Sequence, residues 1–324
     1  MTEFRKNAMT SNQETSPCPI CGYSGKHTLS AKKFEFSKCL HKDCGHVYVD
    51  PLPSAEELDV YYAKNTSGLE NSDSWTMVDD YVSDPRLVHK FYEGNRIKFL
   101  KSKGYLCSES AVLDVGCSTG MFLRVLKDQG YENVMGVDVS LEQVTHCREV
   151  NKIPAYRSLS EIPEDNNFDL VSLYAVLEHV PNPVEVFEQS VQRVKINGHL
   201  IVDVPNYRSL YRMLTGKKWL WLIPPVHLQY FTPKSIVKLA TDSGMEISHS
   251  STKSTSTYTY ILAYHIFDCL KKEMPTTNLS GSRFRILVVA IAEMSMRIIF
   301  APLSWFMRMS GTHNQIIYVF RKKG

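Results

Sequence analysis

The strongest constraint on the fold is the stretch at residues 112–120, which reads Val-Leu-Asp-Val-Gly-Cys-Ser-Thr-Gly. An apolar run containing an acid passes into a turn between two glycines, and the apolar residues that follow begin a helical pattern. This order is typical of a strand that leads into a ligand-binding loop. We expect Asp114, at the end of the strand, to accept hydrogen bonds from a ligand ammonium group or ordered water. No Gly-Lys-Ser/Thr follows the turn, so the loop is not a phosphate-binding P-loop.

Strand and helix patterns alternate from residue 111 onwards. Strands are predicted at residues 111–115, 134–139, 155–156, 168–174, 199–204, 245–250 and 315–320. Helices are predicted at about 119–129, after a capping box of Ser140 and Gln143, from Pro183 through Val194 with Gly198 as the end, and from Thr232-Pro233 to Gly244. This alternation predicts an α/β fold, a Rossmann-like seven-stranded sheet with helices on both faces.

Residues 17–50 contain two cysteine pairs and predict a small zinc-ribbon-like module. The pairs have Cys-x2-Cys and Cys-x4-Cys spacing, each is followed by a glycine, and the cysteines are Cys18, Cys21, Cys39 and Cys44. Four thiolates around one tetrahedral zinc form a closed, structural site that supplies folding free energy to a short module. Four free cysteines on a loop are the less favoured alternative. His41 or His46 could replace one cysteine as a ligand, although we expect His46 to be a surface or hinge residue.

Composition limits the cellular compartment and the classes of partner expected for the chain. Residues 1–16 are polar, carry no apolar core typical of a secretory signal, and are interpreted as a disordered leader. Without such a signal, the clustered cysteines favour metal binding in a reducing compartment, so we expect a cytoplasmic protein. The net charge of +3 is too small to indicate nucleic-acid binding, and we expect none.

The remaining segments are interpreted as additions to the sheet. Residues 51–110 predict a helical cap with a capping box at Ser54 and Glu57, a mobile loop at 65–74, and a later helix that Gly104 ends. In this cap Arg96 and Tyr81 either reach the ligand or lie on a solvated face. The sheet core with its ligand site is assigned to residues 111–250, and the final strand with a basic tail to 311–324.

Two further segments have unusual composition. Residues 207–231 are rich in aromatic side chains and contain no acid, which indicates a lid or substrate wall and not another regular layer. Residues 251–310 predict an apolar helical insert, whose most apolar part, 283–309, is interrupted by charges and is too short between them to span a bilayer. Packing on the core or on a homodimer partner is favoured, and peripheral contact with anionic lipid stays open.

Three ordered segments carry a resemblance to a known family. They are the 112–120 loop, the acid Asp138 at the end of the next strand, and residues 168–183, Phe-Asp-Leu-Val-Ser-Leu-Tyr-Ala-Val-Leu-Glu-His-Val-Pro-Asn-Pro. They resemble motif I, the ribose-binding acid and the strand-four signature of class I S-adenosylmethionine-dependent methyltransferases. Among these the resemblance is closest to the ubiquinone/menaquinone-type family.

The resemblance implies roles for single residues. Asp138 would bind both ribose hydroxyls, with a turn residue that caps the next helix as the alternative, and Val139 would contact the adenine. Cys117 is interpreted as a small residue that the tight turn requires. The residues implied in cofactor binding are Asp114, Gly116, Cys117, Ser118, Thr119, Gly120, Phe122, Asp138, Val139, Ser158, Leu159, Tyr174 and Ala175.

Two histidines are candidates for catalysis. Methyl transfer to a hydroxyl group needs a base, and a histidine is suited to that role near neutral pH. His179 follows the fourth strand of the sheet, and His227 lies in a His-x-x-Tyr-Phe-x-Pro segment that is similar to one beside the family's acceptor pocket. Each histidine could instead be a hydrogen-bonded packing residue.

The second cysteine pair, followed by Val-Tyr-Val-Asp-Pro-Leu-Pro at residues 47–53, also resembles a region of bacterial sugar and cell-envelope methyltransferases. The large additional domain of some of those enzymes is replaced here by the apolar helices. The sequence therefore predicts a zinc-stabilised methyltransferase that transfers a methyl group to a small-molecule, glycan or lipid-linked acceptor, with oxygen as the expected atom. The alternatives are a quinone or polyketide methyltransferase, and a non-catalytic zinc-containing cofactor-binding or interaction protein.

Overall fold

The computed structural model describes residues 15–54, 56–58, 61, 85–252 and 301–324. The strands are β1 (Gly25–Ala31), β2 (Phe34–Cys39), β3 (Val47–Val49), β4 (Val112–Val115), β5 (Val134–Val137), β6 (Ala155–Tyr156), β7 (Phe168–Tyr174), β8 (Val194–Pro205), β9 (Gln229–Tyr230), β10 (Met245–Ser251) and β11 (Gln315–Lys322). The α-helices are α1 (Pro85–Ser102), α2 (Met121–Asp128), α3 (Leu141–Glu149), α4 (Pro183–Gln192), α5 (Leu210–Thr215), α6 (Pro233–Asp242) and α7 (Ala301–Met309).

Seven strands form the main sheet in the order β10-β11-β8-β7-β4-β5-β6. The five strands from β8 to β6 are parallel, whereas β11 runs antiparallel to both β8 and β10. This confirms the predicted seven-stranded α/β sheet. Because β4 lies between β5 and β7, the carboxyl ends of these three strands meet at one edge, where ligands bind in open parallel sheets.

Alternating residues of the strands pack on the two faces of the sheet. In β4, Val112 belongs to one hydrophobic cluster and Leu113 to the other, and both are fully buried. Helix α2 packs on the first face through buried apolar side chains that include Phe122 and Leu123. Each such side chain contributes roughly 1.5–3 kcal/mol by burial. The sheet core is therefore fixed by the apolar pattern read from the sequence.

A second, four-stranded sheet contains the N-terminal module in the order β1-β2-β3-β9. Its fourth strand, β9, comes from residues 229–230, far along the chain, and pairs with β3 at Val47 and Tyr48. Residues 207–231, predicted to be a lid or substrate wall and not another regular layer, include α5 and the short strand β9, which joins this sheet. Most of their large aromatic side chains, such as Trp219 and Tyr230, are buried against this module.

The end of helix α4 differs from its prediction. The helix begins at Pro183 as expected, but ends at Gln192, and β8 begins at Val194. Gly198 lies within β8, at a bulge where the pairing with β7 shifts register. A side chain at Gly198 would place its Cβ 2.9 Å from the carbonyl oxygen of Lys195. The glycine thus permits a close approach of backbone and does not end the helix.

Most of the predicted helix caps are present. Ser54 and Glu57 form the reciprocal hydrogen bonds of a capping box, and Thr232 caps α6. The capping box at Ser140 is only half formed: its hydroxyl accepts from the Gln143 N–H, but its own N–H donates to Asp138 instead of to Gln143. This replacement places Asp138 at the junction of loop and helix.

Several predictions fall outside the described residues. These are the leader apart from Thr15 and Ser16, the loop at 65–74, Tyr81, and the insert at 253–300. The described part of the insert, α7, exposes 64% of Trp305 and 55% of Phe306. Within the described ranges, every helix is too short or too polar to cross a membrane. The boundaries of the segments and the cytoplasmic location stay predictions.

Candidate functional site

The loop after β4 makes a tight turn against β5. The Gly116 and Cys117 N–H groups both donate to the Val137 carbonyl, at 2.7 and 2.9 Å. Gly116 has φ +74°, and a Cβ there would lie 2.5 Å from the Val176 side chain. A larger residue would therefore clash, and the left-handed backbone itself favours glycine. The loop is held in one shape at the carboxyl edge of the sheet.

Asp138 fastens this loop to α3. Its Oδ2 accepts from the Ser118 N–H at 2.9 Å and its Oδ1 accepts from the Ser140 N–H at 3.0 Å. A carboxylate can accept about four hydrogen bonds, so the two that remain suit a diol ligand. The turn role and the ribose role predicted for Asp138 are therefore compatible.

Two buried acids lie near the carboxyl ends of β4 and β8, the strands on either side of β7. Asp114 is 5% exposed and accepts from the Ser172 hydroxyl at 2.6 Å, yet burial raises its pKa to about 7. Asp203, near the end of β8, is 2% exposed, and neither of its oxygens has a hydrogen-bond partner among the described residues. Burial raises the pKa of Asp203 to about 6. Such groups are costly unless a ligand or ion pairs with them.

Helix α1 places one cation beside these acids. The Arg96 guanidinium lies 4.1 Å from the centre of the Tyr174 ring and pairs with Glu93 at 3.0 Å. Its charge lowers the pKa values of both Asp114 and Asp203, although less than burial raises them. The buried Tyr174 hydroxyl has no hydrogen-bond partner among the described residues. Arg96 was expected either to reach the ligand or to lie on a solvated face. Its largely buried position beside these acids fits the first alternative.

The other candidate cofactor residues surround the same edge. Phe122 packs edge-to-face on Tyr174 at 5.4 Å. Val139 is 81% exposed, so its apolar side chain is accessible at this edge. Ala175 adopts a positive φ of 55° where the chain leaves β7. The remaining candidate cofactor residues are the 116–120 loop, Ser158 and Leu159. Leu159 is buried and Ser158 is half-buried.

A cluster of Glu178, His179 and His227 lies where the chain leaves β7. Their ligand atoms lie within 4.8 Å of one another, and the two imidazole rings are 4.7 Å apart. His179 Nδ1 donates to the Val226 carbonyl at 2.9 Å, and His227 Nδ1 donates to the Trp221 carbonyl at 3.0 Å. Both rings therefore keep the Nε2 lone pair for another partner.

Burial sets the charge of this cluster. It lowers the pKa of His179, and lowers that of the 3%-exposed His227 well below the usual range. It raises the pKa of Glu178 to about 8. At neutral pH the histidines are therefore neutral and Glu178 is mostly protonated. The side chain of His179 is 35% exposed, so it is the more accessible of the two bases.

Gln229 connects this cluster to the N-terminal module. Its side-chain amide donates to the Val180 and Pro181 carbonyls at 3.2 Å, and its Oε1 accepts from His46 Nε2 at 2.9 Å. His46 is completely buried, so the expectation of a surface position was wrong. Sequence reasoning missed both Asp203 and Gln229. Asp203 lies in no motif with a recognisable spacing, and Gln229 takes an unspecified position of the His-x-x-Tyr-Phe-x-Pro segment.

The four cysteines of the module converge. Their Sγ atoms lie within 4.8 Å of one another, with 3.9 Å between Cys18 and Cys44 and 3.5 Å between Cys21 and Cys39. Tetrahedral zinc with Zn–S bonds of about 2.3 Å needs sulfur atoms roughly 3.8 Å apart, whereas a disulfide needs about 2.05 Å. The cluster therefore has the donor atoms and spacing of a closed zinc site.

Comparison with known proteins gives the family. Residues 88–250, just over half of the chain, match the family described as "Methyltransferase domain". The chain belongs to this methyltransferase family. In its sheet, β11 lies between β10 and β8 and runs antiparallel to both. This is the Rossmann-like fold that the class I resemblance implied.

Two relatives with named functions share 28–30% sequence identity with less than half of this chain. The "Ubiquinone biosynthesis O-methyltransferase" of Aliivibrio fischeri (strain MJ11) is 28% identical over 149 residues, which are 42% of this chain and 63% of the relative. The protein of the same name from Methylococcus capsulatus (strain ATCC 33009 / NCIMB 11132 / Bath) is 30% identical over 168 residues, 47% of this chain and 70% of the relative. The match thus spans less than two thirds of the Aliivibrio protein.

Among solved structures, that of the (4+2)-cyclase SpnF is similar in fold. It is 16% identical, with a TM-score of 0.50, and the match covers 84% of this chain and 98% of that chain. At this identity the likeness concerns the fold alone.

The edge of this methyltransferase fits the cofactor of its family. S-adenosylmethionine carries an ammonium and a sulfonium charge. Asp114 and Asp203 supply buried carboxyl groups at this edge, and the oxygens of Asp203 have no hydrogen-bond partner in the part of the chain that the structure describes. Arg96 lies over Tyr174 at this edge and forms an ion pair with Glu93. A cationic ligand would supply the partner that the Asp203 carboxyl group lacks among the described residues.

Proposed function

We propose that this methyltransferase uses S-adenosylmethionine to methylate an oxygen atom of a small-molecule acceptor. The observation that carries the proposal is the pair of buried acids, Asp114 and Asp203, at the same sheet edge as the neutral histidine pair. A cation is favoured beside the acids, and an uncharged imidazole can take a proton from a hydroxyl group. The names of the relatives support a quinone-type acceptor.

The cofactor supplies an activated methyl group, and the chain supplies position and charge. Asp138 would hold the ribose hydroxyls through its two free lone pairs while it keeps the loop closed on Ser118. Asp114 and Asp203 would bind the cationic groups, and Tyr174 with Phe122 would form an apolar wall. Fixing the reacting groups in line accounts for a large part of the rate in such a transfer.

His179 is proposed as the base. Its Nδ1 proton is held by the Val226 carbonyl, so Nε2 presents the lone pair. His227 is almost wholly buried, and its stronger pKa depression makes it the weaker base. We assign His227 to the wall of the acceptor pocket, where its ring packs against that of His179.

We also propose that the four-cysteine cluster binds one structural zinc ion. The sulfur distances and the burial of Cys18, Cys39 and Cys44 support a closed site with no position for a substrate. Zinc would organise the sheet to which β9 belongs, and β9 begins with the Gln229 that holds the loop after β7. In this arrangement the metal acts on the site only through the protein.

Calorimetry with S-adenosylmethionine, followed by an acceptor screen scored by S-adenosylhomocysteine release, tests the function. Wild-type protein should bind the cofactor and release product with hydroxylated quinone precursors. Asp138→Asn should bind the cofactor roughly tenfold or more weakly, because charge-assisted bonds contribute about 1.5–3 kcal/mol each. No binding, or preference for a dinucleotide, would contradict the proposal.

Cofactor affinity should rise with pH between about 5.5 and 8. The pKa values of Asp203 and Asp114 are raised to about 6 and about 7, so both acids hold protons at low pH and lose them as the cationic ligand binds. Each released proton makes affinity increase by up to about tenfold per pH unit below that pKa. Calorimetry in buffers of different ionisation enthalpy measures the release directly. Asp203→Asn should flatten the profile, and a wild-type affinity independent of pH would refute the pairing.

A further inference from the structure

A basic groove lies between the N-terminal module and the segment that follows β8. Its volume is about 390 Å³. Its lining includes five cationic side chains and no acidic one; the cations are Lys38, Lys42, Arg208, Arg212 and Lys234. We call this feature the basic groove.

The five cations come from separate parts of the chain. Lys38 is in β2, Lys42 lies between the second pair of cysteines, and Lys234 is in the first turn of α6. Arg208 and Arg212 lie just before and within α5. No run of basic residues produces the groove. Tertiary packing alone brings these like charges together, at a cost in mutual repulsion.

None of the five forms an ion pair with a carboxylate in the described ranges. By contrast, Arg124, Lys195 and Lys238 each pair with an aspartate at 2.9–3.0 Å. Within the groove, Lys234 Nζ donates to the Lys42 carbonyl at 2.9 Å. The concentrated positive charge therefore lacks a protein counter-charge among these residues.

One of the cations is held in a fixed orientation. The Arg212 guanidinium stacks 4.0 Å from the centre of the Tyr207 ring and donates to the Tyr207 hydroxyl. A preorganised guanidinium loses less entropy when it binds a planar or tetrahedral anion. Arg212 thus resembles a ligand-binding arginine more than a mobile surface side chain.

We propose that the basic groove binds the phosphate or diphosphate group of a small-molecule ligand. Guanidinium and ammonium groups together are the usual protein ligands of phosphate oxygens. The volume falls in the range of small-molecule sites, and the charges line a concavity and not a flat stripe, which disfavours a membrane or nucleic acid as occupant. The proposal is independent of methyl transfer and of the cofactor site.

The cysteine cluster offers a competing explanation for the cations. Zinc with four thiolates carries a net charge of about −2, and Cys44 lines the groove. However, Cys44 is fully buried, and Arg208 and Arg212 belong to the segment after β8 and not to the module. An experiment must still separate a ligand role from a role in neutralising the metal site.

Titration of the full-length, metal-loaded protein with inorganic diphosphate tests the proposal. The groove variant is Lys42→Gln with Lys234→Gln, two exposed side chains whose removal breaks one hydrogen bond. The matched control is Lys217→Gln with Lys218→Gln, which removes the same charge from exposed positions outside the groove lining. Wild type and control should bind diphosphate, and the groove variant should bind at least tenfold more weakly, with an unchanged zinc content.

Three results of this titration would contradict binding of diphosphate in the basic groove. No diphosphate binding by wild type, an equal loss in both variants, or loss of zinc by the groove variant would each overturn the proposal. The source of the phosphate is then found by comparing a nucleoside diphosphate with a short prenyl diphosphate. Tighter binding of the first indicates a soluble nucleotide-linked ligand, and tighter binding of the second indicates a lipid-linked one.

Discussion

Substitution of His179 with asparagine should lower kcat by about 10²- to 10⁴-fold, the usual contribution of a positioned general base. The amide of asparagine can still donate to the Val226 carbonyl, as His179 Nδ1 does at 2.9 Å, so the local structure is kept and only the Nε2 base is lost. The affinity for S-adenosylmethionine should be nearly unchanged. Steady-state kinetics with calorimetry of cofactor binding measures the two effects separately.

The matched comparison is His227→Asn, which can keep the bond to the Trp221 carbonyl. Its effect on kcat should be smaller, because burial leaves His227 the weaker base. If His227→Asn loses more activity than His179→Asn, the roles of the two residues are exchanged.

The pH profile gives an independent readout of the base. The pKa of His179 is lowered by burial, so the wild-type kcat, measured at saturating cofactor at every pH, should be constant near pH 7 and fall only on acidification below about 6.5. In His179→Asn this acidic limb should disappear. A variant that loses rate but retains the limb would show that another group titrates.

Substitution of Cys39 with serine should remove the bound zinc and destabilise the protein by roughly 4 kcal/mol or more, as losses of structural metals do. Such a loss corresponds to a fall in Tm of roughly 8 °C or more. The wild type should contain one zinc ion per chain by elemental analysis. The buried Sγ of Cys39 lies in the cluster, 3.5 Å from that of Cys21.

Activity should fall together with zinc, because the module supports the catalytic loop. β3 pairs with β9, and Gln229 in β9 joins His46 to the carbonyls of Val180 and Pro181. The control is Cys107→Ser, an exposed cysteine outside the cluster. A Cys39→Ser protein with wild-type stability, or a metal-free wild type, would contradict a structural zinc site.

The main sheet could be predicted because its signals are local. Its central strands are marked by short apolar runs, and the caps at Ser54 and Thr232 are read from neighbouring residues. The predicted end of α4 was wrong, because Gly198 does not end a helix but permits close contact between β8 and the adjacent strand β7. No local sequence pattern indicates such a contact. The same holds for His46, whose burial depends on packing against Phe231.

The sequence by itself determined the α/β sheet, the motif I loop, the acid Asp138 and the four thiols, since each is encoded in residues close together in the chain. Only the tertiary structure decided that Asp203 is buried without a hydrogen-bond partner among the described residues, that Gln229 joins the cysteine module to the loop after β7, and that five scattered cations form one groove. The physical reason is that burial and charge depend on neighbours that are distant in the chain. Folding brings these neighbours together, and an unpaired charge has its high free-energy cost only after water has been removed from it.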